Sequence, residues 1–318
     1  MSHRVFIDGQ AGTTGLGIHA LLAGRPDVEL LEIDPDRRKD AAARRECLNA
    51  ADAVVLCLPD AAAREAVALI DAPGVRILDA STAHRTAPDW IFGLPELVVG
   101  QRDSIRRAPR VANPGCYATG FVLAVRPLVD AGLLEPERTV TVHGLSGHSG
   151  GGRALIERYA EAARAGVAGV VPARLYGLGL DHKHRPEMQR YGGLARPPLF
   201  LPTVAPHYKG MLVSVPLPRD LLTRTVGAQE LVALLAERYE REPCVEVVRP
   251  DGRAALEDGF LDPEACNDTN RVELLVFGDA PDLLLVARLD NLGKGAGGAA
   301  VQNLNLMLGA DEFAGLTC

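Results

Sequence analysis

The sequence predicts an α/β protein, a doubly wound parallel sheet followed by an α+β domain whose sheet is mixed or antiparallel. Three observations carry that prediction. Strand-like and helix-like stretches alternate from residue 4 to residue 115, a glycine-rich turn stands between the first strand and the first helix, and beyond residue 139 strands alternate as though one face were solvated. At 318 residues the chain is long for one core, which makes two domains the natural division: 1–115 with 293–318, and 116–292.

Arg4-Val5-Phe6-Ile7-Asp8 is a short apolar strand, and it runs into Gly9-Gln10-Ala11-Gly12-Thr13-Thr14-Gly15-Leu16-Gly17 before a helical pattern begins at Ile18. A strand, a glycine turn and a helix in that order form a Rossmann-type dinucleotide unit. Gly9, Gly12 and Gly15 let the backbone approach a pyrophosphate, and Thr13 and Thr14 open the helix that holds it. A second strand over 28–33 leads to Asp34-Pro35-Asp36-Arg37-Arg38-Lys39. An acidic residue there would bond a ribose 2′-hydroxyl, whereas Arg37 and Arg38 would accept a 2′-phosphate; the stretch offers both, and the reading leans to NADP. The third strand, 53–58, ends at Pro59, and the fourth, 75–80, ends at Ser81. Both lie where such sheets receive ligands, beyond the carboxyl ends of strands.

Arg110-Val111-Ala112-Asn113-Pro114-Gly115 then breaks the chain, and the run from Cys116 to Leu128 reads as a helix buried on more than one side. Cys116 therefore stands at a helix N-terminus. Unpaired N–H groups and the positive end of the macrodipole favour an anion there, which stabilises a thiolate and makes a nucleophile. The plainer alternative is a small buried hydrophobe, the usual fate of a free cysteine.

Past that helix, 139–145 alternates like a half-solvated strand and empties into Ser146-Gly147-His148-Ser149-Gly150-Gly151-Gly152-Arg153. This second glycine loop could wrap a substrate anion with its backbone amides and Arg153, or serve only as a connector. A helix over 154–165 follows. In Asp181-His182-Lys183-His184-Arg185-Pro186-Glu187 the two histidines project to the same side of an extended segment, and with no third ligand beside them a metal is not expected. Residues 226–240 form an amphipathic helix, 271–277 and 283–289 neighbouring strands, and 290–307 a glycine loop opening a terminal helix that belongs with the first domain.

The balance of 34 Lys and Arg against 41 Asp and Glu gives a net charge of −7 with no basic tract, which excludes nucleic acid as a partner. No apolar run is long enough for a membrane span and the N-terminus leads straight into a strand, so a cytoplasmic protein is expected. The six cysteines form no CxxC pair, which argues against structural zinc and against a disulfide framework.

The glycine turn 9–17, Asn113-Pro114-Gly115-Cys116, His182-Lys183-His184-Arg185-Pro186-Glu187 and Asp290-Asn291-Leu292-Gly293-Lys294-Gly295-Ala296 together resemble the shorter form of the N-acetyl-gamma-glutamyl-phosphate reductases, within the aspartate-semialdehyde dehydrogenase-like superfamily. The resemblance runs nearly end to end. It implies that Cys116 attacks an acyl phosphate, that phosphate leaves a thioester, and that NADPH reduces the thioester to a semialdehyde in arginine biosynthesis. It also implies proton handling by His182 or His184, and substrate contacts from Asn113, Ser146, Gly147, Ser149, Arg153, Arg185, Glu187, His207 and Lys209. Asn291, Lys294 and Gly295 would approach the cofactor, and a homodimer or homotetramer is expected. Aspartate-semialdehyde dehydrogenase and aminoadipyl-phosphate reductase share the fold and chemistry. A dinucleotide-sensing module would keep the first glycines without needing the cysteine or the histidines.

Overall fold

Val5, Phe6 and Ile7 are apolar at successive positions of the first strand, β1 (His3–Asp8), and all three are buried, so both faces of this strand must be covered. The computed structural model describes residues 2–166, 171–248 and 256–318, and the chain divides into two compact units. One comprises Met1–Pro114 with Ala296–Thr317, the other Gly115–Gly295 with Cys318.

In the first unit β1 is followed by α1 (Thr13–Leu22), β2 (Val28–Leu31), α2 (Ala41–Ala50), β3 (Ala53–Leu56), α3 (Asp60–Ala68), β4 (Arg76–Asp79), β5 (Ile91–Phe92), α4 (Gln101–Arg107) and β6 (Arg110–Ala112). The six strands pair in parallel in the order β2-β1-β3-β4-β6-β5. Because side chains alternate across a strand, the sheet feeds two cores. Val5, Ile7, Val55, Leu78 and Val111 pack with Ile18 and Leu22 of α1 and with Val301 and Leu304 of the terminal helix. Phe6, Val54, Leu56 and Ile77 pack with Leu48 of α2 and Ala63 and Ala66 of α3.

The second unit runs α5 (Cys116–Asp130), β7 (Thr141–Gly147), α6 (Arg153–Arg164), β8 (Arg174–Leu175), α7 (Arg185–Gly192), β9 (Leu199–Ala205), β10 (Met211–Leu217), α8 (Ala228–Tyr239), β11 (Val245–Val248), the small pair β12 (Leu256–Glu257) and β13 (Phe260–Leu261), β14 (Val272–Asp279) and β15 (Asp282–Leu289). Its seven-stranded sheet, β11-β14-β15-β10-β7-β9-β8, is mixed, as expected. The pairs β11–β14 and β7–β9 are parallel, and the rest are antiparallel. Helix α5 lies on β10 and β15, where a side chain at Gly120 would meet Val213 at 2.9 Å.

Two expectations are corrected. His182 and His184 do not share an extended segment: His184 has helical backbone angles and caps α7, because Pro186 in the first turn starts a helix there. Cys244 and Cys318 form a disulfide with Cα atoms 4.7 Å apart; 74 residues separate them in sequence, so spacing alone could not reveal the pair.

The terminal helix α9 (Gly298–Leu308) closes the first unit, packing against α1, α4 and β4. Every residue from Gly298 to Met307 is buried, including Gln302, Asn303 and Asn305. These amides are paired: Gln302 donates to Glu96 at 3.0 Å, Asn303 to the carbonyl of Gly93 at 2.7 Å, and Asn305 accepts from Arg25 at 2.7 Å. Burying Val301, Leu304, Leu306 and Met307 stabilises by about 1.5–3 kcal/mol each, a sum comparable with the whole ~5–15 kcal/mol stability of a domain. Deleting 293–318 should therefore leave an insoluble chain or one without dinucleotide affinity. A soluble truncation binding the dinucleotide normally, measured by titration calorimetry, would contradict this.

Candidate active site

The chain's second unit builds its site on the start of α5. Gly115 is the N-cap, no side chain caps the helix, and Cys116 is its first residue. The other described free thiols are differently placed. Burial pushes Cys57 up to about 12 and Cys266 up to about 11, and burial, with Glu46 and Asp8, also raises Cys47, so these three stay neutral.

Cys116 is held from two sides. Gly295 lies directly against it, since a β-carbon there would stand 2.7 Å from the Cys116 β-carbon and only glycine fits. The buried carboxylate of Glu187 accepts the Gly115 N–H at 3.0 Å through Oε2, while its Oε1 lies 4.0 Å from Nε2 of the equally buried His184. One carboxylate thus joins the residue before the nucleophile to an imidazole. His182 accepts the His184 backbone N–H on Nδ1 at 3.1 Å, which places its own proton on Nε2. The two rings meet edge to face at 4.7 Å, and both pack on Tyr117, at 5.9 Å and 5.8 Å. Tyr117 is itself fixed over Gly144, where a side chain would strike the ring at 2.4 Å. Its hydroxyl receives that of Tyr176 at 3.3 Å and donates to the Thr203 carbonyl at 3.4 Å. Burial, reinforced by Tyr176 and Cys116, holds the Tyr117 hydroxyl well above its ordinary pKa, and burial pushes Tyr176 up to about 12, so both remain protonated.

Other expected contacts are differently engaged. The 146–152 loop does not present its first amides to an anion, because Gly147, His148 and Ser149 donate them to the carbonyls of Gly210, His207 and Tyr208. Asn291 is buried with both ends of its amide used: it accepts the Gly210 N–H at 2.8 Å and donates to Ser149 Oγ at 2.9 Å. It fastens loops, and so does His207, whose Nε2 meets the Gly210 carbonyl at 3.0 Å. Ser146 donates to the Gly147 carbonyl at 3.2 Å, Arg185 to the carbonyls of Pro198 and Leu180. Lys209 pairs with Asp268 and Asp290; burial alone would lower its pKa, but the two carboxylates raise it. Arg153 is 76% exposed and paired with Glu157 at 2.7 Å, and Lys294 is fully buried. In the first unit Asn113 donates to the Ala296 carbonyl at 3.0 Å.

The glycine turn of the first unit fits a dinucleotide. Gly9 has φ +91° and a side chain there would lie 2.3 Å from the Cys57 carbonyl oxygen, one at Gly15 2.6 Å from that of Gly9. Gly12 donates to Gly9 at 3.0 Å, and no side chain caps α1, so the first helical N–H groups at Thr13, Thr14 and Gly15 are left for a pyrophosphate. Pro59 caps α3, and Ser81 donates to Asp79 at 2.8 Å. Beyond β2, Asp34 turns its carboxylate onto the Asp36 N–H at 2.9 Å, while Arg37 is exposed with a loose 3.8 Å contact to Asp40.

Sequence reasoning did not single out Tyr117 or Tyr176 as part of the site. Their only signal was an aromatic beside the cysteine and another six residues before His182.

Comparison with known proteins agrees with this geometry. Residues 23–108 match the semialdehyde dehydrogenase NAD binding domain, and residues 116–291 the semialdehyde dehydrogenase dimerisation domain. The N-acetyl-gamma-glutamyl-phosphate reductase 2 of Nostoc sp. is 49% identical over 318 residues, covering 98% of this chain and 99% of that one. The N-acetyl-gamma-glutamyl-phosphate reductase of Burkholderia cenocepacia is 50% identical, covering 98% of each. Among solved structures, aspartate semialdehyde dehydrogenase from Francisella tularensis covers 97% of this chain and 100% of its own, with a TM-score of 0.73 at 13% identity, a likeness of fold. Aspartate semialdehyde dehydrogenase II from Vibrio cholerae gives 0.70 at 18% identity, with 97% and 99% covered. With half its residues shared along almost the whole length, the chain belongs to the N-acetyl-gamma-glutamyl-phosphate reductase family.

Proposed function

We propose that the protein reduces N-acetyl-gamma-glutamyl phosphate to N-acetylglutamate semialdehyde and phosphate, with NADPH as reductant and Cys116 as covalent nucleophile. The observation that carries the reading is the placing of Cys116 at the uncapped start of α5, next to Gly115, whose N–H the buried carboxylate of Glu187 accepts, with His184 4.0 Å from the same carboxylate. Helix amides favour the thiolate, which attacks the acyl carbon; the C–O bond to phosphate breaks and a thioester remains on Cys116. A dinucleotide held at the glycine turn would supply the hydride needed to reduce the thioester. His184, oriented by Glu187, holds the proton that moves on and off the carbonyl oxygen, and expulsion of the thiolate restores the site. His182 packs beside it as a neutral partner.

Gly9, Gly12 and Gly15 with the α1 N-terminus would hold the pyrophosphate, and Arg37 and Arg38 a 2′-phosphate. The capping role of Asp34 supports NADP, since that carboxylate is engaged by its own turn. The match to a dimerisation domain supports a homodimer or homotetramer, and the biosynthetic reading supports a cytoplasmic enzyme. Among the described residues no helix is long and apolar enough to cross a membrane.

The test is the reverse reaction with N-acetylglutamate semialdehyde, phosphate and either NADP or NAD, with aspartate semialdehyde as the competing substrate. Replacing Arg37 and Arg38 together by alanine should raise the KM for NADP by about tenfold or more, the worth of one or two charge-assisted hydrogen bonds, with little change for NAD. An equal or higher kcat/KM with NAD in the unaltered protein would make both arginines surface charges.

A further inference from the structure

The loop Ser81-Thr82-Ala83-His84-Arg85 leaves β4 at the carboxyl edge of the first unit's sheet, and the chemistry described above makes no use of its histidine. His84 is held from two sides. Asp79, the last residue of β4 and fully buried, accepts the Ser81 N–H at 2.9 Å and, through Oδ2, the Ser81 hydroxyl at 2.8 Å and His84 Nδ1 at 2.7 Å. A carboxylate only accepts, so it fixes a proton on Nδ1 and leaves Nε2 as the free atom of the ring. The ring also stacks on the buried Trp90, with centroids 4.2 Å apart and planes within 12°. Nε2 meets no partner among the described residues and is not one of their sealed atoms, the side chain being 13% exposed. The loop itself is braced. Thr82 donates its N–H and its hydroxyl to Asp60 at 3.0 Å and 2.6 Å, and the buried Arg85 donates to the carbonyls of Asn113 at 2.9 Å and Ala80 at 3.2 Å. An imidazole fixed in place and tautomer, with one nitrogen left open, is preorganised to meet a ligand.

The sheet register says which part of a ligand that is. Asp8, Leu56 and Asp79 stand in one row across β1, β3 and β4, so at about 4.8 Å per strand Asp79 lies roughly 10 Å from the end of β1, where the glycine turn begins. Burial raises the Cys57 thiol at the end of β3, and Asp79 and then Asp8 add to it, so both carboxylates act on the position between them. Arg37 and Arg38, which would read the 2′ position, follow β2 on the other side of β1. A dinucleotide whose pyrophosphate rests on the start of α1 and whose adenosine extends to β2 must send its other half past β3 towards β4. We infer that His84 is a binding residue for the nicotinamide riboside, its Nε2 accepting from a ribose hydroxyl, with Asp79 the positioning residue that aims the ring. This rests on the dinucleotide reading given above. The ribose is the portion of that half next to the phosphates, and its hydroxyls are the donors that Nε2 requires in the tautomer protonated on Nδ1.

The test titrates the full-length protein calorimetrically with NADP and with 2′-phospho-ADP, the same molecule without its nicotinamide riboside, and with NAD and ADP as a second pair. Asparagine and glutamine separate the two ring nitrogens, because the amide of the first reaches the place of Nδ1 and that of the second the place of Nε2. His84→Asn keeps a donor for Asp79 and leaves nothing at Nε2. It should raise Kd for the intact dinucleotides by about tenfold, the worth of one hydrogen bond, and leave Kd for the truncated ligands within about twofold. His84→Gln, whose amide oxygen can accept at the vacated place, should return to within about threefold of the parent. Trp90, the chain's single tryptophan, reports on the same spot, so its emission should respond to NADP and not to 2′-phospho-ADP. Melting temperatures within a few degrees of the parent establish that the variants are folded. Equal losses for intact and truncated ligands in His84→Asn, unchanged affinity for all of them, or a Trp90 response to the fragment as large as that to NADP would each overturn the assignment. A loss confined to the KM for phosphate or for the semialdehyde also overturns it, since the ring then serves the substrate. Absence of turnover with N-acetylglutamate semialdehyde counts instead against the proposed reaction, while the dinucleotide titrations still read His84.

Discussion

Cys116→Ser should lose turnover by about 10³-fold or more while its affinity for the dinucleotide stays within twofold of the parent. A hydroxyl at the same helix terminus is far less ionised than a thiol, and an ester accepts hydride less readily than a thioester, so both halves of the covalent route close. Binding survives because the glycine turn at 9–15 lies in the other unit, with its own core. The check pairs reverse-direction kinetics with calorimetric titration of NADP. Retention of more than a few per cent of activity would remove Cys116 from the nucleophile's role.

Changing His184 to Asn should be nearly as severe, costing kcat about 10²–10⁴-fold and removing one limb of the pH profile of kcat/KM. His184 is buried against the Glu187 carboxylate, so its imidazole is oriented and its charged form is met by a partner. Glu187→Gln keeps a group that accepts the Gly115 N–H but removes the charge, and should shift the same limb while costing less in rate. His182→Asn should cost less in kcat than His184→Asn, and His207→Asn should act chiefly on KM, because His207 clips the Gly210 carbonyl. A full kcat loss at His207 with near-normal rates in both other histidine variants would reverse the assignment.

Much of this was legible because it is local. The turn at Gly9, Gly12 and Gly15 follows from strand, glycines and helix in sequence, and the placing of Cys116 follows from Pro114 and Gly115 breaking one element just before a buried helix begins. Glu187 was not legible as the tie to Gly115, since 72 residues separate them and only the folded chain brings them together. The paired histidines were misread because alternation in sequence means a shared face only on an extended backbone, and a proline two residues after His184 had already begun a helix. The buried face of α9 was half legible. Val301 and Leu304 announce it, but Gln302, Asn303 and Asn305 look like a solvated face until Glu96, Gly93 and Arg25 appear as their partners. The partners of Asn291 were hidden for the same reason, since Gly210 and Ser149 reach its amide only in the folded chain.

The first unit owes its last layer to residues 296–317, which a ribosome makes only after the whole of residues 115–295. During synthesis its parallel sheet emerges first but waits with the Val5, Ile7 and Leu78 face uncovered, while the second unit holds all its helices and strands in one uninterrupted stretch and can close ahead of it. The core of the first unit can therefore be completed only after the second unit has been synthesised. The contacts of α9 with α1 and β4 span most of the chain's length, so the layer that completes this core is also the one with the highest loop-closure cost.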